Sequence, residues 1–194
     1  MMGRSMLDAR ALTLVLPGRD YLADYVGALE KGWSPDTTQD LHEEHLTSIR
    51  RDADAFLVDL LRQDGDIRHA DGSVTPRLPN RQFWLWDGEF CGMIGLRYVP
   101  GRSALPPQVP GHIGYSVVPW KQRRGYAAAA LAQMLDVARD LGLRRVFLAC
   151  NRDNVASRKV IVKNGGVPAG PRSFPPTGAL HRDDRGFWIK LRPR

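Results

Sequence analysis

Val118-Pro119-Trp120-Lys121-Gln122-Arg123-Arg124-Gly125-Tyr126-Ala127 is the stretch on which the reading of this chain turns. Before it lies His112–Val118 (HIGYSVV), a strand-like run that Pro119 must end, because proline cannot donate to a ladder. After it, Leu131, Leu135 and Ala138, with Met134 and Leu141, fall on one apolar stripe at helical spacing. Gly142 then suits a helix C-cap. The stretch is therefore a strand end, a loop and a helix start. Unpaired N–H groups at a helix start make an anion site. Gly125 lets backbone approach a bound group closely, and Ala127 with three more alanines leaves no bulk over the first turn. Lys121, Arg123 and Arg124 add positive charge. These are the requirements of a pyrophosphate, although the loop alone also fits a plain basic connection. No Gly-x-Gly-x-x-Gly and no Gly-Lys-Ser/Thr accompanies it, which argues against a dinucleotide fold and a P-loop.

Working outward, Ala11–Leu16 reads as a strand closed by Pro17-Gly18. Helical stretches follow at about 20–31 and 39–63, separated by the turn chemistry of Gly32–Asp36. Residues 64–80, with Gly65, Gly72, Pro76 and Pro79, read as a loop. Arg81–Trp86 and Phe90–Tyr98 flank Asp87-Gly88 as a β-hairpin. The proline-rich residues 100–111 are a loop. Arg145–Cys150 is a short apolar strand of the buried parallel type. A helix runs from Asn154 to about Lys163 and stops at Asn164-Gly165-Gly166, and strand-like pieces follow near Val167 and at Phe187–Leu191. The alternation of strands and helices gives an α/β domain with a mixed sheet and a β-α-β-α middle.

The 194 residues suit one domain, so 1–194 is read as a unit. No apolar run reaches the length of a membrane span, and the polar start does not fit a secretory signal. Two cysteines, Cys91 and Cys150, are too few for a disulfide framework or a four-cysteine zinc site. Both sit in apolar runs, so buried thiols in a reducing cytoplasm are expected, and no metal. The net charge of +7 is uneven: residues 1–80 carry −5 and residues 121–163 carry +7. The positive field thus belongs to the C-terminal half, where it suits a solvated surface, a nucleic acid or a phosphorylated small molecule. There is no helix-turn-helix, zinc knuckle or aromatic-basic stripe, so nucleic-acid binding ranks as a remote alternative.

Gln122-Arg123-Arg124-Gly125-Tyr126-Ala127 resembles the Gln/Arg-x-x-Gly-x-Gly/Ala motif of the GNAT acyl-CoA N-acetyltransferases. It follows a Tyr-x-Val-x-Pro strand end (Tyr115, Val117, Pro119), and about 25 residues later comes Asn151-Arg152-Asp153-Asn154-Val155-Ala156-Ser157. Ile161–Gly166 resembles that superfamily's helix terminus. Phe83–Gly92, Gly111–Tyr115 and Asn164–Gly166 look like a bacterial branch of acetyltransferases with unassigned substrates. The match is dense from about 111 to 167. The resemblance implies an α+β, GNAT-like single domain: a mostly antiparallel sheet of about six or seven strands, about four flanking helices, and a central splayed parallel strand pair. It implies acetyl-CoA as co-substrate and a cytoplasmic enzyme whose acceptor is a small-molecule or peptide amine. Helices in 19–63 would shape the acceptor site, and a homodimer stays open.

By the same resemblance, Gln122, Arg123, Arg124, Gly125, Tyr126 and Ala127 hold the pyrophosphate. Backbone at Val117 and Val118 pairs with the pantetheine arm and supplies the oxyanion donors. Asn151, Asn154 and Ser157 fall where side chains touch the cofactor, although Asn154 also suits a helix N-cap. Transfer would be direct, with no covalent intermediate. His112 begins the acyl-site strand, where family members carry a carboxylate base, and its near-neutral pKa suits a general base. A strand-end histidine bonded to the following loop is the plain alternative. Glu89 is the runner-up base. The tyrosine that many members place four residues after the serine, as the acid for the thiolate, is here Ile161. Tyr115, Tyr126, Ser157 or water could serve instead, with Tyr126 the named candidate. That missing tyrosine also leaves open a CoA-binding module without turnover. The acidic N-terminal half, with Asp36, Asp40, Glu43 and Glu44, would suit a cationic amine, though ordinary helix-surface acids explain it equally.

Overall fold

The computed structural model describes residues 12–37, 39–68, 72, 74–107, 109–170 and 184–192. Ala11, where the sequence reading starts its first strand, lies outside them. Strand β1 is Thr13–Val15, β4 is Asn80–Trp86, β5 is Phe90–Arg97 and β6 is Ile113–Val117; they form one antiparallel sheet in the order β1-β4-β5-β6. Between β1 and β4 come helices α1 (Arg19–Glu30), α2 (His42–Arg51) and α3 (Ala53–Leu60), then a small hairpin of β2 (Asp66–Arg68) and β3 (Val74–Pro76). After β6 come α4 (Tyr126–Asp140), β7 (Arg145–Asn151), α5 (Val155–Lys163), β8 (Val167–Pro168) and β9 (Asp184–Lys190). These last three strands form a second antiparallel sheet in the order β7-β9-β8.

Period-two alternation sends the two faces of the first sheet to different cores. On one face, Leu85, Cys91, Ile94, Leu96 and Ile113 meet Leu131, Met134, Leu135 and Ala138 of α4 and Ile161 of α5. On the other, Trp84 and Phe90 meet Leu22, Tyr25, Leu29, Trp33, Leu46 and Phe56 from the α1–α3 side. Tyr25 stacks on Trp84 at 4.5 Å. Such buried rings each contribute about 1.5–3 kcal/mol through area removed from water. Neither Cys91 nor Cys150 is in a disulfide; Cys91 is buried and Cys150 half-buried.

Three expectations need correction. The stretch 39–63 is two helices, because Asp52 turns extended and its carboxylate caps α3 by accepting from the Ala55 N–H at 2.9 Å. Residues 64–80, read as a loop, hold the β2–β3 hairpin. Finally, β7 is not in a parallel ladder: its partner is β9, antiparallel. Among the described residues no ladder joins it to β6; the two are tied where the His112 N–H, just before β6, donates to the Phe147 carbonyl at 2.7 Å. Beyond that joint the two sheets part.

Candidate active site

The gap between β6 and β7 is where this fold leaves backbone unpaired. Antiparallel pairing with β5 occupies alternate residues of β6. Val118 donates to the Cys91 carbonyl at 3.0 Å and its own carbonyl accepts from Lys121, so its N–H is no longer available as a donor. The Val118 role expected from the sequence therefore fails, for a reason of strand parity. By the same parity, Tyr115 and Val117 turn their N–H groups toward β7. The Val117 carbonyl accepts from the Gln122 amide at 3.1 Å, which ties the loop to the strand end.

Next to this edge, a short 3-10 turn (Pro119–Lys121) leads to α4. Arg123 (φ 62°) and Gly125 (φ 88°) both take left-handed backbone, which turns successive N–H groups to one side as an anion-binding concavity. No side chain caps α4. Its first amides, Tyr126 and Ala127, have no carbonyl a turn earlier to bond. Gln122, Arg123, Arg124 and Gly125 are exposed. These exposed amides and cations form a rim whose chemistry fits a pyrophosphate.

The side chains of Lys121 and Tyr126 do not belong to that rim. Lys121 is 5 % exposed; its Nζ lies 2.6 Å from Asp87 and 3.0 Å from Glu89. The Tyr126 hydroxyl donates to the other Asp87 oxygen at 2.5 Å. Burial opposes the Asp87 charge, but the bonds from Lys121 and Tyr126 outweigh it and hold the carboxyl down at about 2. Burial and Asp87 push Tyr126 up to about 12. The network clamps the loop onto the β4–β5 hairpin. It also uses up the Tyr126 proton, so the acid role considered for Tyr126 has no free hydroxyl behind it. Glu89, the runner-up base, sits on this clamp rather than beside His112.

On the other lip, the Asn154 side chain accepts from the Ser157 N–H at 2.9 Å, capping α5. Asn151 accepts from the Asp153 N–H at 2.9 Å. Ser157 shares a 2.8 Å hydrogen bond with the Tyr115 hydroxyl, which reaches across from β6. Burial raises Tyr115 to about 12, so it stays protonated at neutral pH. Ile161, at the usual tyrosine position, is buried in the core.

His112 is 1 % exposed at the joint. Its Nδ1 accepts from the Phe147 N–H at 2.9 Å, and its Nε2 is buried with no partner. Burial, reinforced by the charges of Arg97 and Arg145, lowers it to about 4. A neutral imidazole whose Nδ1 is an acceptor carries its proton on Nε2. The base role expected for His112 therefore finds no available lone pair; its open nitrogen is a donor.

The face toward α1–α3 carries residues that the sequence reading passed over. Gly95 and Gly114 are directly paired on β5 and β6. An added side chain at Gly95 would meet the Gln82 amide oxygen at 3.5 Å, and one at Gly114 would meet the Arg97 guanidinium at 3.9 Å. Beside them, Ser116 accepts from the Trp33 indole N–H at 2.9 Å and donates to the Ser34 carbonyl at 3.3 Å. Counting by twos from Met93 would have placed Arg97 on this face.

The chain matches the family model described as an acetyltransferase (GNAT) domain over residues 31–167. No curated protein sequence matches it. Among solved structures, RimL, a ribosomal-protein alpha-N-acetyltransferase in complex with coenzyme A, is 17 % identical with TM-score 0.61, covering 93 % of this chain and 94 % of that one. Mycobacterium smegmatis RimJ in complex with a CoA disulfide is 24 % identical with TM-score 0.59, covering 92 % and 81 %. Spermidine N-acetyltransferase from Vibrio cholerae, in complex with CoA and spermine, is 15 % identical with TM-score 0.56, covering 94 % and 96 %. Among the described residues no acidic, histidine and cysteine cluster could hold a metal, and no helix is long and apolar enough to cross a membrane. With a family match over most of its length, a parted β6–β7 pair and an open-amide loop at the head of α4, the chain belongs to the GNAT acetyltransferases, enzymes that use acetyl-CoA as co-substrate.

Proposed function

We propose that this enzyme passes the acetyl group of acetyl-CoA directly to a primary amine held on the α1–α3 side of the sheet. The observation that carries the reading is the wedge between β6 and β7, shut at His112–Phe147 and bordered by Gln122–Ala127. The amides of 123–127 take the pyrophosphate, with Arg123 and Arg124 supplying the surrounding field. The pantetheine arm adds to the free edge of β6 at Tyr115 and Val117, and Asn151, Asn154 and Ser157 form the far lip. Acetyl-CoA supplies a thioester whose C–S bond breaks as the amine nitrogen bonds to the carbonyl carbon.

The Val117 N–H serves as the oxyanion donor. Tyr115 gives the proton that the departing thiolate takes, and Ser157 orients it. Ser116, its hydroxyl fixed by Trp33 and Ser34, keeps a lone pair to orient the incoming amine, whose proton leaves to water. Residues 19–63 thus form the acceptor wall, and 1–194 acts as one catalytic domain in the cytoplasm. The amine acceptors named for RimL and for the Vibrio cholerae spermidine enzyme support a primary amine as the acceptor kind.

Thiol release from acetyl-CoA over a panel of amines, with calorimetry of CoA binding, tests the reading. CoA should bind with a micromolar Kd, near −8 kcal/mol, and at least one amine class should release thiol well above hydrolysis. Binding with no amine-dependent release would instead describe a CoA-binding module.

A further inference from the structure

We propose that the acceptor carries a carboxylate close to its amine, and that Arg97, with Arg145 and His112 behind it, receives that carboxylate over the Gly95–Gly114 pair. This rests on the acetyltransferase reading above and narrows its substrate class. Three donors border the joint: Arg97 stands beside Gly114, two residues along the chain from His112, and His112 and Arg145 flank the Trp188 ring at 6.4 Å and 4.2 Å. Arg97 is exposed, and one of its guanidinium nitrogens stands 3.9 Å from where a Gly114 side chain would begin. Among the described residues it makes no ion pair or side-chain hydrogen bond, and Asp36 is the carboxylate whose charge it feels. Arg145 lies over the Trp188 ring at 4.2 Å. His112 is buried, and its Nε2 has no hydrogen-bond partner among the described residues.

Because Nδ1 faces the Phe147 N–H, Nε2 turns away from the β7 backbone. A buried N–H donor left without an acceptor costs free energy unless something occupies it. Arginine presents paired donors that match a carboxylate. The paired glycines place no side chain of their own on the floor beside the guanidinium, and the Gln82 amide oxygen borders it at Gly95. Asp36 supplies one negative charge on this side and Arg97 and Arg145 two positive ones, so the subsite keeps a net attraction for an anion. Along β6, Gly114 lies two residues from Ser116, roughly 7 Å. The carboxylate should therefore stand a few bonds from the reacting nitrogen. The positive charge here also replaces the cationic-amine preference that the acidic N-terminal half suggests: Asp40, Glu43 and Glu44 are surface groups, and Asp40 is bound to His42.

The experiment first confirms CoA binding to the intact enzyme by calorimetry, then measures thiol release for carboxylated amines against their own amides. The probes are β-alanine, γ-aminobutyrate, aminocaproate and the dipeptides glycyl-aspartate and alanyl-glutamate, with spermidine as the cationic arm. The ω-amino acids and the acidic dipeptides distinguish a small-molecule from a peptide source of the carboxylate. At least one carboxylated amine should exceed its amide by about tenfold to hundredfold in kcat/KM, as a charge-assisted bond implies. Arg97→Ala should erase that ratio and leave the KM for acetyl-CoA unchanged, while Arg97→Lys should restore part of it. Equal rates for carboxylates and amides, a preference for spermidine, or a ratio that survives Arg97→Ala would overturn the proposal while leaving acetyl transfer intact. Absent CoA binding would remove the underlying reading instead.

Discussion

His112 shows how one hydrogen bond reverses the chemistry read from a residue type. The sequence offers a near-neutral imidazole at the head of the acyl-site strand. The fold spends its only lone pair on the Phe147 N–H and buries the ring. Its folded pKa of about 4 lies below the ordinary 6.5. The folded state therefore binds fewer protons than the unfolded one between those values. Stability is full above pH 6.5 and falls as the pH drops toward 4, by about 3 kcal/mol in total. His45, also lowered by burial, adds a loss of the same sign. Urea unfolding across this range should show the decline, and His112→Gln should flatten much of it. Tyr115 carries the second expectation at this scale. Tyr115→Phe removes the hydroxyl at Ser157, so kcat should drop by about 10²-fold or more, the usual scale of general acid catalysis, with CoA affinity kept. Unchanged turnover in Tyr115→Phe would transfer the acid role to Ser157 or water.

At the scale of elements, the loop before α4 works only in its left-handed form. Gly125→Val puts a β-branched side chain at φ 88° and a methyl pair over the cradle. Calorimetry should show CoA affinity down by at least about tenfold, since such strain alone costs about 1–3 kcal/mol. The same loop hangs on the Lys121–Asp87 pair. Lys121→Met leaves the half-buried Asp87 carboxylate with Tyr126 but without its cation, and should cost about 1–3 kcal/mol in a denaturation curve. A double variant with Asp87→Leu should recover part of that loss. Among these elements, α4 and its loop were legible because their signals are local: an apolar stripe, a glycine and a run of alanines. The Asp52 cap was local too, but the apolar residues on either side of it continued the helical pattern and hid the break. Residues 64–80 carry glycine and proline without alternation, so the β2–β3 hairpin had no signature. The role of Lys121 was hidden because its partners, Asp87 and Glu89, lie more than 30 residues away. Val118 depended on which edge of β6 faces β5, a fact of pairing and not of composition, whereas the face of Arg97 was open to a count by twos along β5.

For the whole molecule, two sheets that meet at one corner make the cofactor a bridging piece. CoA contacts both lips of the wedge in the proposed mode, so it should bind the folded state alone. At a hundred times its Kd it should raise stability by about 2.7 kcal/mol. A thermal scan with and without CoA measures this, and no shift at that concentration would contradict the bridging role. The order β7-β9-β8 has a further consequence, in the time course of synthesis. When a ribosome has released the chain through Gly170, the cofactor loop, α4, β7 and α5 are already outside, yet β7 has no ladder partner. That partner is Asp184–Lys190, which must slot between β7 and β8. Until it emerges, the wedge has one wall, so a nascent chain carries the complete binding motif before it can bind. In the proposed mode, binding therefore waits for Asp184–Lys190, a strand that contributes no residue to the proposed chemistry.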